Sequence, residues 1–276
     1  MATLRRHRVA VFLVVTYAVT WGAWIPLALA RHRVGFGFEP LYMLGLLGPL
    51  VGALVTEAIT YEGARDLVAR MTRVHMRWRW WGVAIGVPVA AYAATYVVLV
   101  AYSMFLLAPV ALPTRATLGQ FNGFPVTNPV LLLGLLVLVG GFGEETGWRG
   151  VLLPALQRKH SPLVASLLVA ACWAPWHLPA FFIADTFRTM PAAMVPVWLV
   201  GLVAGSIFLA WLYNRGNHSV LLVAVFHGTF NFLSGTLGAR GVIAAVESTT
   251  VMIISAVLVI RELREGREPS VRVMHA

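Results

Sequence analysis

The 276-residue sequence predicts an all-α, polytopic membrane helix bundle with about eight transmembrane helices. Three observations carry that expectation. First, 59% of the residues are hydrophobic and only 12% are charged, against about 25% charged in an ordinary soluble domain. Second, the apolar residues fall in runs long enough to cross a bilayer, which takes about 20 residues of helix. Third, most of the basic residues lie in the short connections between those runs, where they act as topology signals.

The candidate spans are roughly 9–30, 41–61, 80–108, 129–158, 162–183, 191–213, 218–237 and 241–260. With the N-terminus in the cytoplasm, eight spans place 15 Lys and Arg residues inside and 5 outside, and Arg149 falls within a span. That bias predicts that both termini are cytoplasmic. The start, MATLRRHRVAVFLVV, has the look of a signal peptide. It lacks a convincing small-residue cleavage site and further spans follow, so we read it as a retained first span. No second domain or internal repeat is visible, which makes 1–276 a single integral membrane domain. Its mixed-charge end, 262–276, is expected to be a disordered tail. The stretch 62–81 is basic with interleaved apolar residues, and predicts an interfacial helix followed by tryptophans at headgroup level.

The net charge of +10 would suggest nucleic acid in a soluble protein. Here the basic residues flank greasy spans, so the expected partners are membrane lipids and not nucleic acid. The single cysteine, Cys172, allows neither an intramolecular disulfide nor a cysteine zinc site. Twenty arginines against one lysine suggest a GC-rich genome and hence a bacterial plasma membrane protein.

The segment GFGEETGWRG (141–150) raises the functional question, because carboxylates inside a span are costly and usually functional. On a helix Glu145 and Arg149 share a face and can neutralise each other. Glu144, rotated about 100° away, is left over. Two other spans supply polar groups: His177 in WAPWH (173–177), and His227 with Asn231, four apart in HGTFN (227–231). Glu57 and Glu247 have no polar companions at helical spacing and read as interhelical hydrogen-bonding groups or cavity edges. A carboxylate and an imidazole can hold a water and take its proton. A second His with an Asn can donate to the resulting oxyanion. Two His and a Glu can also bind zinc and leave a position for water, although the H-E-x-x-H pattern is absent. Spacing alone leaves both routes open.

The three motifs resemble those of the CAAX-processing and bacteriocin-processing (CPBP, or Abi) intramembrane endopeptidases. EETGWR (144–149) matches E-E-x-x-x-R. WAPWH matches the second motif with Trp173 in place of its usual phenylalanine, and HGTFN matches H-x-x-x-N. The motif core covers 129–237. The resemblance implies an intramembrane endopeptidase whose site opens toward the cytoplasm. It implies that Glu144 activates water with His177, that His227 and Asn231 stabilise the oxyanion, and that Glu145 and Arg149 support the site. The favoured reading requires no cofactor, while zinc stays the alternative. The expected substrate is a membrane-associated protein or peptide. Two other readings compete: a non-catalytic binding protein for bacteriocin immunity or maturation, and a proton-coupled transporter, for which the broken-helix repeats are not found.

Overall fold

A computed structural model describes residues 7–34, 39–60, 63–105, 109–124 and 126–265. The described residues are almost wholly helical, and the one β-contact among them is an isolated bridge between Val34 and Ala184.

The helices are α1 (Arg8–Leu29), α2 (Pro40–Leu46), α3 (Gly48–Thr60), α4 (Ala64–Met71) and α5 (Trp78–Phe105). They continue with α6 (Pro129–Gln157), α7 (Pro162–Ile183), α8 (Ala192–Arg215), α9 (Val220–Gly235) and α10 (Val242–Glu265). Six of these are long and apolar enough to cross a membrane, and α2 with α3 makes a seventh if the bent pair is one span. The remaining expected span is α9, an apolar helix of 16 residues. At 1.5 Å per residue it rises about 24 Å, less than a hydrocarbon core of about 30 Å. Its neighbours α5, α6, α8 and α10 surround it, so it is a central helix enclosed by longer ones. The protein is therefore a polytopic all-α membrane bundle.

Local sequence explains the breaks. Helices α2 and α3 are bent by 51° at Leu47, just before Gly48 and Pro49. A proline cannot donate the backbone hydrogen bond that would continue the helix, and it disfavours helical conformation in the residue before it. The bent unit packs tightly on α1. A Cβ on Gly48 would lie 2.0 Å from Thr20 Oγ1 and one on Gly52 would lie 2.2 Å from Thr16 Oγ1. Small residues permit that close helix approach in a membrane. Across the same contact Glu57 pairs with Arg8, so Glu57 does join two helices.

Two expectations change in detail. The helix predicted within 62–81 is only the eight residues of α4. Its Leu67 is 1% exposed and packs into the protein, where a Cβ on Gly150 would lie 2.9 Å from Leu67 Cδ1. The amphipathic pattern is thus partly answered by a protein surface. The tail expected to be disordered from 262 begins as helix, since α10 continues through Glu265. Residues 266–276 lie outside those described.

Candidate active site

Helix α6 carries the first motif and is not a uniform α-helix. Phe142–Gly147 is α-helical, flanked by π-helical turns at Leu136–Gly141 and Trp148–Leu152. Such π turns occur frequently at functional sites. Helix α9 lies against the first of them. A Cβ on Gly141 would stand 2.3 Å from the Ala224 carbonyl oxygen, and one on Gly228 would stand 2.6 Å from Val137 Cα. The two backbones touch here because neither glycine has a side chain, and this contact sets His227 beside the glutamates.

Glu144, Glu145, Arg149 and His227 are all buried. Arg149 Nη1 donates to Glu145 Oε1 at 3.0 Å, as the four-residue spacing predicts. His227 Nδ1 donates to the same Glu145 Oε1 at 2.6 Å. His227 Nε2 faces Glu144 Oε1 at 3.9 Å. That gap is too long for a direct hydrogen bond and is the separation at which a bridging water should be considered. The other oxygen, Glu144 Oε2, accepts a 2.7 Å hydrogen bond from Trp173 Nε1. Glu144 is therefore not left over: one oxygen is anchored and the other faces His227.

Trp173 links the motifs. Its ring also lies under the Arg149 guanidinium, 4.7 Å from centroid to Cζ, and meets His227 edge-on at 5.8 Å. One helical turn on, His177 Nδ1 donates to the Trp173 carbonyl at 2.9 Å. A carbonyl only accepts, so this bond puts a proton on Nδ1 and, in the neutral ring, leaves Nε2 as an acceptor. The His177 ring sits among Trp176, Phe187 and Trp198, with centroids 4.7, 5.8 and 5.4 Å away. Asn231 lies one turn beyond His227 on α9 and is half-buried. Its Nδ2 would stand 3.7 Å from a Cβ on Gly140.

All six residues expected from the sequence fall in this part of the bundle: α6 packs on both α7 and α9, and Trp173 of α7 meets His227 of α9. Sequence reasoning missed Trp173 as a donor. The signal was present, because a tryptophan where a phenylalanine is usual adds one N–H. The aromatic wall from Phe187 and Trp198 had no signal, since it comes from segments without motifs. Of the two glutamates set aside, Glu247 is 1% exposed on α10, away from the motif residues in sequence. Among the described residues, no three His, Cys, Asp or Glu side chains are grouped to hold a metal ion. The imidazole Nδ1 atoms are committed to Glu145 and the Trp173 carbonyl.

Residues 126–233, which contain all three motifs, match the family model described as "Type II CAAX prenyl endopeptidase Rce1-like". The match covers the segment in which the three motifs lie. The chain is also similar to "CAAX prenyl protease 2" of Methanococcus maripaludis. The two are 21% identical over 273 residues, covering 94% of this chain and 96% of that protein. The likeness to that protein thus extends beyond the motif core into the flanking spans.

Proposed function

We propose that this protein is an intramembrane endopeptidase that hydrolyses peptide bonds of membrane-associated proteins or peptides. The observation that carries this reading is the state of Glu144. It is a buried carboxylate inside a membrane bundle, with Oε2 held by Trp173 and Oε1 3.9 Å from the His227 imidazole, beyond direct hydrogen-bond reach. The similarity to CAAX prenyl proteases supports the same class of activity.

In this reading a water on Glu144 Oε1 is also held by His177 Nε2. Glu144 takes its proton as the water oxygen attacks the scissile carbonyl carbon. The carbonyl oxygen becomes an oxyanion, stabilised by donors placed before the reaction. Asn231 Nδ2 is one donor and His227 Nε2 the other. To donate there while Nδ1 donates to Glu145, the His227 ring carries both protons, and the two flanking carboxylates supply its counter-charge. The tetrahedral intermediate then collapses. The C–N bond breaks and the proton on Glu144 passes to the leaving amine. The site opens toward the cytoplasm of a bacterial cell, a placement supported by the arginine bias of the loops.

The test is proteolysis by the purified protein, in detergent or lipid, of a panel of lipidated and transmembrane peptides. Wild type, Glu144→Gln and His177→Ala are compared with and without a strong chelator. Cleavage that both variants lose and the chelator spares is the expected result. Cleavage unchanged in Glu144→Gln overturns the assignment. Cleavage lost to chelator and restored by zinc replaces the glutamate-activated water with a metal-bound one.

A further inference from the structure

A basic cavity opens at the end of the bundle where α6 and α8 finish and α5 and α9 begin. Its volume is about 320 Å³ and its walls include Arg70, Arg73, Gln157, Arg158, Tyr213 and His218. Asp66 is the one acid in the lining, and it is already paired with Arg70 at 3.0 Å. Arg73 and Arg158 therefore leave the cavity with excess positive charge.

The walls are built rather than loose. Arg70 Nη1 donates to the Tyr213 hydroxyl at 3.3 Å. Arg73 Nη1 donates to the Asn217 carbonyl at 2.7 Å, which fixes the guanidinium at the cavity edge. The turn carrying His218 has two consecutive non-glycine residues with φ of +57°, a region that few L-residues occupy. That conformation is held from outside the turn: Ser219 Oγ donates to the Arg73 carbonyl at 2.7 Å and Asn217 Nδ2 to the His75 carbonyl at 3.2 Å. Gln157 Nε2 is buried and has no hydrogen-bond acceptor among the described residues. A buried amide donor without an acceptor carries a desolvation cost, which an oxygen-bearing anion in the cavity would remove.

We propose that this cavity binds a phosphate-bearing anion, the headgroup of an acidic phospholipid or free phosphate. Guanidinium groups suit phosphate because they present paired donors in one plane. Two features favour the lipid. The cavity lies at the ends of membrane spans, where headgroups lie. Trp78, at the start of α5, is 83% exposed, as expected of a tryptophan at headgroup level. A bound headgroup would bridge the segment after α4 to the end of α6, the helix that carries Glu144, and so hold α4 against α6.

The experiment uses the full chain in a neutral detergent and reads bound ligand by native mass spectrometry. Phosphatidylglycerol and inorganic phosphate are titrated separately. The proteins compared are wild type, Arg158→Gln, Arg73→Gln/Arg158→Gln and the charge-matched control Lys159→Gln/Arg261→Gln. Lys159 and Arg261 are exposed and do not line the cavity. Arg158 is exposed too, so its single variant keeps the fold even if the double does not. Wild type and control are expected to bind one phosphatidylglycerol, with Arg158→Gln and the double at least about tenfold weaker, as for lost charged hydrogen bonds. Binding of phosphatidylglycerol with no binding of phosphate at equal concentration identifies the lipid as the source, and equal binding of both identifies the phosphate group alone. Equal affinity in Arg158→Gln and the control, or no saturable binding to wild type, overturns the proposal.

Discussion

The Trp173 side chain has two separable properties, a ring that packs and an N–H that donates. Trp173→Phe keeps most of the packing against Arg149 and His227 but removes the donor from Glu144 Oε2. A buried acceptor left unpaired costs about 1–3 kcal/mol. We expect cleavage to fall about tenfold to a hundredfold in kcat with KM little changed, because the bond orients the base rather than the substrate. Unchanged kcat would reduce Trp173 to packing. The pair Glu145–Arg149 separates structure from chemistry in another way. Arg149 is 0% exposed and so is Glu145, so removing one charge strands the other, at roughly 3–5 kcal/mol. Arg149→Leu should therefore lower the melting temperature in detergent strongly. Glu145→Leu/Arg149→Leu should melt higher than either single variant, yet remain inactive, because His227 has lost the carboxylate at its Nδ1. An active double variant would show that Glu145 serves only to neutralise Arg149.

At the scale of elements, the site depends on how closely α6 and α9 approach. Gly228→Ala places a methyl group 2.6 Å from the Val137 backbone, so the helices must part and His227 must move from Glu145. Activity is expected to drop by more than an order of magnitude with a destabilisation of about 1–3 kcal/mol. Gly134→Ala, on the same α6 but with nothing near its added Cβ, should be neutral or slightly stabilising, as for an ordinary helical glycine. Comparison of the two variants by activity and melting temperature checks whether the glycines act by contact or by flexibility. The sequence showed which runs are helical, since each expected span overlaps a helix. It did not show the π turns of α6, because hydropathy and propensity describe single residues, whereas a π turn depends on what packs against the helix. It likewise did not show that Leu67 of α4 turns inward onto Gly150, since the pattern of an interfacial helix and of a protein-facing one is the same. The motif spacing made the Glu145–Arg149 pair legible because both residues lie on one helix. The Trp173–Glu144 bond joins two helices and no spacing encodes it.

For the whole molecule, the apolar surface and the charge distribution act together. The outward faces of α5, α6 and α10 carry exposed Val97, Val98, Val130 and Ile253, each at least 60% exposed, which would be unfavourable in water and is ordinary against lipid. The ends of the bundle are unequal in basic residues, and the more basic end gathers the Arg8–Glu57 pair, Arg70, Arg73 and Arg158. On the orientation proposed from the positive-inside rule, that end faces the cytoplasm. Orientation decides where substrates come from, because the proposed opening toward the cytoplasm requires the Arg158 end to be reachable from inside the cell. The sole cysteine makes the test clean: with Cys172→Ser as background, single cysteines replace Lys159 at the basic end and Arg33 at the other, both exposed. In intact cells a membrane-impermeant maleimide is expected to label Arg33→Cys and to spare Lys159→Cys until the membrane is opened. The reverse pattern would turn the bundle over and place the proposed phosphate cavity outside.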